Sequence, residues 1–241
     1  MKKSIAISSL ALILAIFTNC AQLNISLPTT TSNQNSGLST AEVIRGLKEA
    51  LELGAKKSGQ SASKVDGFYK NQLLFIPFPP EAIKVKNTLE KAGMQKPVDD
   101  FVLSLNRAAE DAAQRAYPIF ASAITGMTIT DAMGILKGAD NAATNYLMQK
   151  TTSQLKAEFK PIVKQSIEKV KVTSYWNPVV TNYNRLTVLT GGEQVNPDLE
   201  NYITDKAIEG LFKLVENEEK LIRKDPAARV TDILKKVFGG Q

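Results

Sequence analysis

The chain has 241 residues, with 30 lysines and arginines against 24 aspartates and glutamates, and so a formal net charge of +6. It contains no histidine and one cysteine, which excludes Ser-His-Asp and Cys-His catalysis and most zinc, haem and iron–sulfur sites. The basic residues are interspersed with acidic ones, a pattern that does not indicate nucleic-acid binding. We therefore expect no cofactor, no metal and no nucleic acid.

The first 19 residues have the features of a bacterial secretory signal peptide. Two lysines precede an apolar run from residue 5 to residue 17, which is shorter than the roughly 20 apolar residues of a membrane span. Cys20 follows at the boundary, and the segment resembles a relaxed lipobox that ends Phe17-Thr18-Asn19-Cys20. We predict cleavage after residue 19 and acylation of Cys20. The alternative is an ordinary signal sequence with a spare thiol.

Acylation of Cys20 would hold the mature chain at a membrane. The two or three fatty chains of a bacterial lipoprotein suffice for stable attachment, whereas a single chain binds only marginally. Ala21 stands where aspartate often marks retention in the inner membrane, so the pattern favours the outer membrane. Residues 24–38 carry no charge and are mostly small and polar. This composition predicts a flexible tether over residues 20–38, which reaches about 20 Å.

The rest of the chain, residues 39–241, has helical periodicity almost throughout. Ser39 and Glu42 have the spacing of a capping box, and apolar residues then recur at helical spacing. Leu73–Pro80 is β-prone but contains three prolines, which predicts a short extended segment. A helix that ends at Gly93 should follow it.

The middle of the chain predicts four helical segments. The longest runs from Pro97 to Thr125, with a kink or break at Pro118. Thr128–Asp131 has the pattern of another helix start. Asp140 is expected to cap a short helix, and a separate amphipathic helix should then cover residues 155–170.

The last third of the chain is less regular. Thr173–Val195 has no clear period and contains a proline and a Gly-Gly pair, so we interpret it as an irregular connection. Asn196 is expected to cap the next helix, and Asp225 a last short one. Together the elements predict an all-α fold, namely a single-domain irregular bundle of about eight helices with one short extended Pro-rich segment.

The densest polar cluster lies on the longest predicted helix. Asn106 and Glu110 are four residues apart and share a face, and Arg107 lies beside them. An amide, a guanidinium and a carboxylate that converge there could bind a polar ligand. The alternative is that Arg107 and Glu110 fix this helix to a neighbour. Near the end of the penultimate helix, Glu219 and Arg223 have the spacing of an ion pair.

Three apolar features also have two interpretations each. The Ala-rich face between Ala108 and Ala116 either allows close helix packing or forms the floor of a pocket for a small apolar ligand. Tyr175 and Trp176 either cover the core or form a docking surface. Leu73–Pro80 either connects two helices or cradles a partner chain.

A set of short stretches extends over nearly the whole of residues 39–241. These stretches are Gly46–Leu51, Asn106–Glu110, Met127–Ala132, Ile135–Gly138, Ala143–Tyr146, Lys206–Phe212, Glu219–Pro226 and Leu234–Gly239. Together they resemble the bacterial domain of unknown function 4197 family. The resemblance implies an exported, often lipid-anchored protein, and it implies no activity. It makes eight polar residues candidates for a shared site or a shared scaffold: Asn106, Arg107, Glu110, Asp131, Thr144, Tyr146, Glu219 and Arg223.

These observations predict a non-enzymatic lipoprotein of the bacterial envelope that binds or scaffolds. Its expected partners are the membrane, through acylated Cys20, and another protein of the envelope. Two alternatives stay open. One is a carrier of a small apolar ligand beside the Ala-rich helix, and the other is an enzyme that uses carboxylates such as Glu110 or Asp131.

Overall fold

The computed structural model describes residues 39–169, 172–191, 194–196 and 198–239, which lie in one compact unit. The predicted signal peptide, Cys20 and the tether lie outside the described residues. Within these ranges there are nine α-helices, two 3₁₀ turns and no β-strand, so the predicted all-α fold class is confirmed. The helices are α1 (Thr40–Ser63), α2 (Ile83–Lys91), α3 (Gln95–Ala113), α4 (Ala116–Thr125), α5 (Ile129–Leu136), α6 (Ala142–Lys169), α7 (Val172–Thr190), α8 (Leu199–Lys224) and α9 (Asp232–Phe238).

Two helices begin where the sequence predicts a helix start, and each begins with a capping box. In α1 the Glu42 N–H donates to Ser39 Oγ, and the Ser39 N–H donates back to the Glu42 carboxylate. Thr128 and Asp131 make the same reciprocal pair at the start of α5. Each pair satisfies N–H groups that have no partner within the helix, and this is why the chain turns into a helix at these residues.

Four long helices form the centre of the bundle. The α1 helix packs against α3, α4, α5, α8 and α9, while α6 packs against α3, α4, α5, α7 and α8. The α3 and α8 helices also contact each other. Large side chains with less than 2 % exposure fill the space between these elements: Phe68, Phe120, Phe159, Leu47, Ile76, Leu105, Leu147, Leu155, Ile167, Ile203, Leu211 and Leu234.

Small residues let the neighbours of α1 approach it closely. Every fourth residue on one face of this helix is small and buried, in the order Gly46, Ala50, Gly54, Ser58 and Ala62. A Cβ atom added at Gly46 would lie 2.8 Å from Val237 Cγ2 of α9, and one at Gly54 would lie 3.3 Å from Glu218 Cβ of α8. Side chains at these two glycines would push both helices outward.

The predicted helix from Pro97 to Thr125 is two helices. The α3 helix ends at Ala113 and α4 begins at Ala116, so the break lies just before Pro118. Pro118 has no N–H with which to bond the carbonyl of Gln114, four residues earlier, but the first turn of a new helix requires no such bond. The longest helix is instead α6, with 28 residues.

The α6 helix joins two elements that the sequence analysis separated. It continues from Ala142 to Lys169 and has Pro161 in its interior. The predicted short helix after Asp140 is the start of this long helix, which begins at Ala142, and the Asp140 carboxylate forms an ion pair with Lys224 of α8. Local spacing could not distinguish a cap from a residue that pairs with a distant helix.

The prediction of an irregular connection over Thr173–Val195 is wrong. Most of this segment is the α7 helix. Trp176, Val180 and Thr187 are buried, and Tyr183 between them is half-buried, which is the spacing of one helix face. Trp176 stacks on Phe101 of α3 with ring centres 5.1 Å apart. The Tyr175 side chain lies outside the described residues.

The caps of the last helices differ slightly from the prediction. Asp198, rather than Asn196, caps α8 by accepting a hydrogen bond from the Asn201 N–H. Asn196 accepts from the Asp198 N–H and so shapes the turn before the cap. Asp225 caps the 3₁₀ turn Pro226–Ala228, and Thr231 caps α9.

No helix in the described ranges is long and apolar enough to cross a membrane by itself. One bent pair, formed by residues 95–125 and α5 with 105° between them, meets the length and composition criteria together.

Candidate functional site

Residues 64–79, here called the clamped loop, connect α1 to the 3₁₀ turn before α2. The loop begins with a tight reversal in which Asp66 has a φ of +65°. At Gly67, a Cβ atom would lie 2.5 Å from the carbonyl oxygens of both Ser61 and Ala62. The loop then makes consecutive turns up to Phe75 and continues as irregular backbone, with no strand at Leu73–Pro80. Such a segment needs outside support because few of its backbone groups pair with each other.

Asn106 of α3 supports the second half of the clamped loop. Its side-chain oxygen accepts a hydrogen bond from the Ile76 N–H at 2.9 Å, and its amide nitrogen donates to the Ile76 carbonyl at 2.8 Å. The same nitrogen donates to the Val102 carbonyl of α3. Asn106 is completely buried, so this amide replaces the strand partner that Ile76 lacks.

Glu110 and Arg107 of α3 support the first half of the loop. Glu110 Oε1 accepts hydrogen bonds from the Phe68 and Tyr69 N–H groups at 3.0 and 3.2 Å. Its other oxygen accepts from Arg107 at 2.6 Å, and Arg107 reaches across to Asp66 at 2.7 Å. The Arg107 guanidinium also lies 5.8 Å from the ring centre of Tyr69. Both oxygens of this buried carboxylate are therefore occupied within the domain.

The charges around this cluster stabilise one another. Hydrogen bonds from Lys70 and from Arg107 lower the pKa of the Asp66 carboxyl. The hydrogen bond to Glu110 raises the pKa of the Arg107 guanidinium, against the effect of burial. Opposite charges in contact each favour the partner's ionised form. Asp66, Arg107 and Glu110 therefore form a charged chain that ties the start of the loop to α3.

Glu219 of α8 supports a different element, the first turn of α6. Glu219 Oε1 accepts from the Ala143 N–H at 3.0 Å, while Oε2 accepts from the Thr144 N–H and hydroxyl, each at 2.8 Å. The first N–H groups of a helix have no partner within it and carry partial positive charge. A carboxylate from another helix therefore caps α6.

Two arginines complete this second cluster. Arg223 donates to Glu219 Oε1 and to the Ile135 carbonyl at the end of α5. Arg229 is buried and donates to the Ile222 and Arg223 carbonyls, which lie in the last turn of α8. A guanidinium at the carboxyl end of a helix satisfies free carbonyl groups and complements the helix dipole. The cluster thus joins α5, α6 and α8.

Asp131 and Tyr146 lie apart from both clusters. Asp131 is part of the α5 capping box, and its hydrogen bonds with the Thr128 hydroxyl and N–H lower the pKa of its carboxyl. The Tyr146 hydroxyl donates to the Ala123 carbonyl of α4 at 3.1 Å. Burial, and to a smaller extent the charge of Asp131, raises the pKa of this hydroxyl. The eight candidate residues therefore support four separate junctions.

Little open space adjoins these junctions. A cavity of about 20 Å³ lies between α1, α8 and α9 beside Glu219 and Arg223, which is room for about one water molecule. The Ala-rich face is packed, since Ala108, Ala109, Ala112, Ala113 and Ala116 are each at most 1 % exposed. A wider open groove of about 720 Å³ runs along the first turns of α1 towards Ile129, and it is lined by none of the eight candidates.

Sequence reasoning missed three parts of these clusters. Asp66 has its partner in the cluster, Arg107, 41 residues away, and the Phe68 and Tyr69 N–H groups that bind Glu110 are backbone atoms. Arg229 follows the end of α8 by a few residues. The only sequence features that could have indicated them are the Asp-Gly pair at residues 66–67, which is typical of a turn, and an arginine just beyond a helix end.

The match to known proteins covers almost all of the described chain. A family model described as "Protein of unknown function (DUF4197)" matches residues 37–239. Neither a curated protein nor a solved structure matches the chain.

Proposed function

The chain belongs to the DUF4197 family, as its sequence motifs predicted, and we propose that it is an envelope lipoprotein that acts by binding or scaffolding. In this proposal acylated Cys20 attaches the protein to a membrane, most simply the outer membrane. The helical domain then presents a fixed surface to another protein. The attachment is supported by the sequence alone, and the binding role by the arrangement of the domain.

The observation that carries the binding role is the clamped loop. Two polar side chains of α3 hold its backbone from the buried side, while Leu73 and Phe75 on its outer side remain 41 % and 40 % exposed. Burying an amide and a carboxylate is costly unless each is fully hydrogen-bonded. A loop that is held so firmly, and that still exposes large apolar side chains, is suited to recognition.

The same contacts favour binding over catalysis at Glu110. A general acid or base needs a carboxylate that can reach a substrate. Both oxygens of Glu110 accept hydrogen bonds from the loop and Arg107, and Asp131 belongs to a capping box at a different junction. The carrier alternative is not supported by the packing of the Ala-rich face, where the alanines lie against neighbouring helices.

Site-specific photo-crosslinking in whole cells tests the binding role. A photoreactive phenylalanine analogue replaces Phe75 in the full-length protein, and the matched control carries it at Leu221, an exposed position on α8. We expect one discrete adduct from position 75, identified by mass spectrometry as an envelope protein, and none from position 221. Equal labelling from both positions, or labelling of lipid alone, would contradict the proposal.

A further inference from the structure

After the clamped loop, the chain continues beside α3 towards the start of that helix. Going down α3, Glu110 contacts Phe68 and Tyr69, Asn106 contacts Ile76, and the Phe101 ring packs 4.9 Å from Phe78. The α2 helix then packs on α3. Residues 64–96 therefore run beside α3 and into its first turn, with a buried stretch at Ile76, Phe78 and Pro79. This segment is here called the basic strip.

Apolar side chains are concentrated on the basic strip. In the described part of the chain twelve large apolar residues are exposed, and five of them lie in this segment of 33 residues. The five are Val65, Leu73, Phe75, Ile83 and Met94. All except Val65 are 40–42 % exposed, so they are packed on one side and open on the other. A fixed surface of this kind resembles the apolar centre of a protein interface.

The strip also has a net charge of +3, against +4 for the whole predicted mature chain. It has six lysines (Lys64, Lys70, Lys84, Lys86, Lys91 and Lys96) against Asp66, Glu81 and Glu90, a difference of +3. Cleavage after residue 19 removes two lysines and lowers the formal net charge of the chain from +6 to +4. Lys64, Lys84 and Lys91 form no ion pair with any residue that the structure describes. These three charges are available to a partner.

We propose that the basic strip binds an acidic, apolar segment of a partner protein, a proposal that rests on the binding role above and adds the chemistry of the partner. Leucine or phenylalanine side chains of that segment would cover Leu73, Phe75 and Ile83, while its carboxylates would face the unpaired lysines. Opposite charge around an apolar centre gives such an interface orientation and a faster encounter.

An anionic lipid surface also combines negative charge with apolar groups, but the observations favour a protein partner. Four of the five apolar side chains are packed on one side rather than fully exposed. Acidic residues also interrupt the lysines, in ion pairs such as Lys70–Asp66 and Lys86–Glu90.

Hydrogen exchange read by mass spectrometry tests the proposal on the full-length chain in nanodiscs of phosphatidylcholine. The first probe is a 12-residue peptide that alternates glutamate with leucine and phenylalanine, and the second has lysine in place of glutamate. A third sample has no peptide and nanodiscs with phosphatidylglycerol. We expect the acidic peptide alone to slow exchange in residues 64–96.

Two matched variants connect this protection to the lysines. Neutralising Lys64, Lys84 and Lys91 to glutamine should weaken binding of the acidic peptide about tenfold, because three exposed charge pairs are lost. The same change at Lys160, Lys164 and Lys169, which lie on α6, should leave the affinity unchanged. Equal binding of both peptides, protection by phosphatidylglycerol instead, or equal loss in the two variants would overturn the proposal. An adduct from position 75 without acidic-peptide binding would leave the binding role intact and reject this partner chemistry.

Discussion

Glu219 holds the first turn of α6 by accepting two hydrogen bonds from Thr144, one from its N–H and one from its hydroxyl, both at 2.8 Å. The pair is buried, and the residues lie 75 positions apart in the sequence. A helix cap is usually supplied by the residue just before the helix. Here a second helix supplies it, so the cap also fixes how α6 and α8 pack.

The first prediction concerns this tertiary cap. Glu219→Ala leaves Arg223 without its carboxylate and two buried N–H groups without an acceptor, so we expect the free energy of unfolding to fall by about 3–5 kcal/mol. Urea unfolding followed by circular dichroism measures it. Glu216→Ala is the control, because Glu216 makes only a partly exposed pair with Lys220 on the same helix, worth about 0.5 kcal/mol. Equal losses in the two variants would contradict the role of Glu219.

The second prediction concerns Asn106 and the clamped loop. Asn106→Ala removes both hydrogen bonds to Ile76, which should destabilise the domain by about 1–3 kcal/mol because buried backbone groups lose their partner. The Ile76 amide should exchange with solvent faster than the average of the core amides. Hydrogen exchange measures both the loss of stability and the faster exchange at Ile76. The control is Asn71→Ala, which removes a single exposed hydrogen bond from the Leu73 N–H. Unchanged protection at Ile76 would show that the loop is held by other contacts.

The third prediction concerns the charge of Asp66. Its carboxyl pKa should lie below the usual value of 3.8, first because of the hydrogen bond from Lys70 and then that from Arg107. A lowered pKa means that the ion pairs contribute to stability above about pH 3.8, and that this contribution is lost as the pH falls through the lowered value. Lys70→Met should raise the Asp66 pKa towards 3.8, as measured by carbon-13 NMR titration, while Lys64→Met should not. If the Asp66 pKa is the same in both variants as in the wild type, Lys70 is not the cause of the lowered pKa.

Local patterns explain which parts of the fold were predictable. The helix starts at Ser39 and Thr128 each depend on a pattern of four residues, and the prediction of a helix start is confirmed at both. The α7 helix was not predicted, because a proline and a Gly-Gly pair indicate an irregular connection. The spacing of Trp176, Val180 and Thr187 indicates a helix instead. That spacing places all three on one helix face, and it could have been read from the sequence.

The candidate site was predictable only in part, for a physical reason. The sequence identifies Glu110 and Arg107 as a possible pair, because residues three apart are neighbours on a helix. It does not identify the Phe68 and Tyr69 N–H groups that Glu110 also binds, since every residue but proline has an N–H. Contacts between side chains and distant backbone depend on the packing of whole helices, and no spacing rule describes that packing.

The fourth prediction compares alanine substitutions at two glycines, which should change the stability of the domain in opposite directions. Gly67→Ala should destabilise the clamped loop strongly, because the new Cβ would lie 2.5 Å from two backbone oxygens that cannot move freely. Gly134→Ala in α5 should stabilise the domain by about 0.5–1 kcal/mol, since nothing lies within 4 Å of the added methyl group and alanine favours helix. Thermal and urea unfolding compare the two. A neutral Gly67→Ala would mean that the reversal at Asp66 relaxes more easily than its geometry indicates.

The fifth prediction concerns the membrane anchor. If Cys20 is acylated, the mature protein should begin at this residue and be heavier than residues 20–241 by the mass of two or three fatty chains, and it should fractionate with membranes. Cys20→Ala should abolish incorporation of labelled palmitate and yield no lipid-modified product, because the thiol is the attachment atom. Ala21→Ser, which keeps the thiol and changes its neighbour, is the control and should still be labelled. A wild-type intact mass without fatty chains, or one that retains residues 1–19, would reject the anchor. The location of the protein in the cell envelope would then need another explanation.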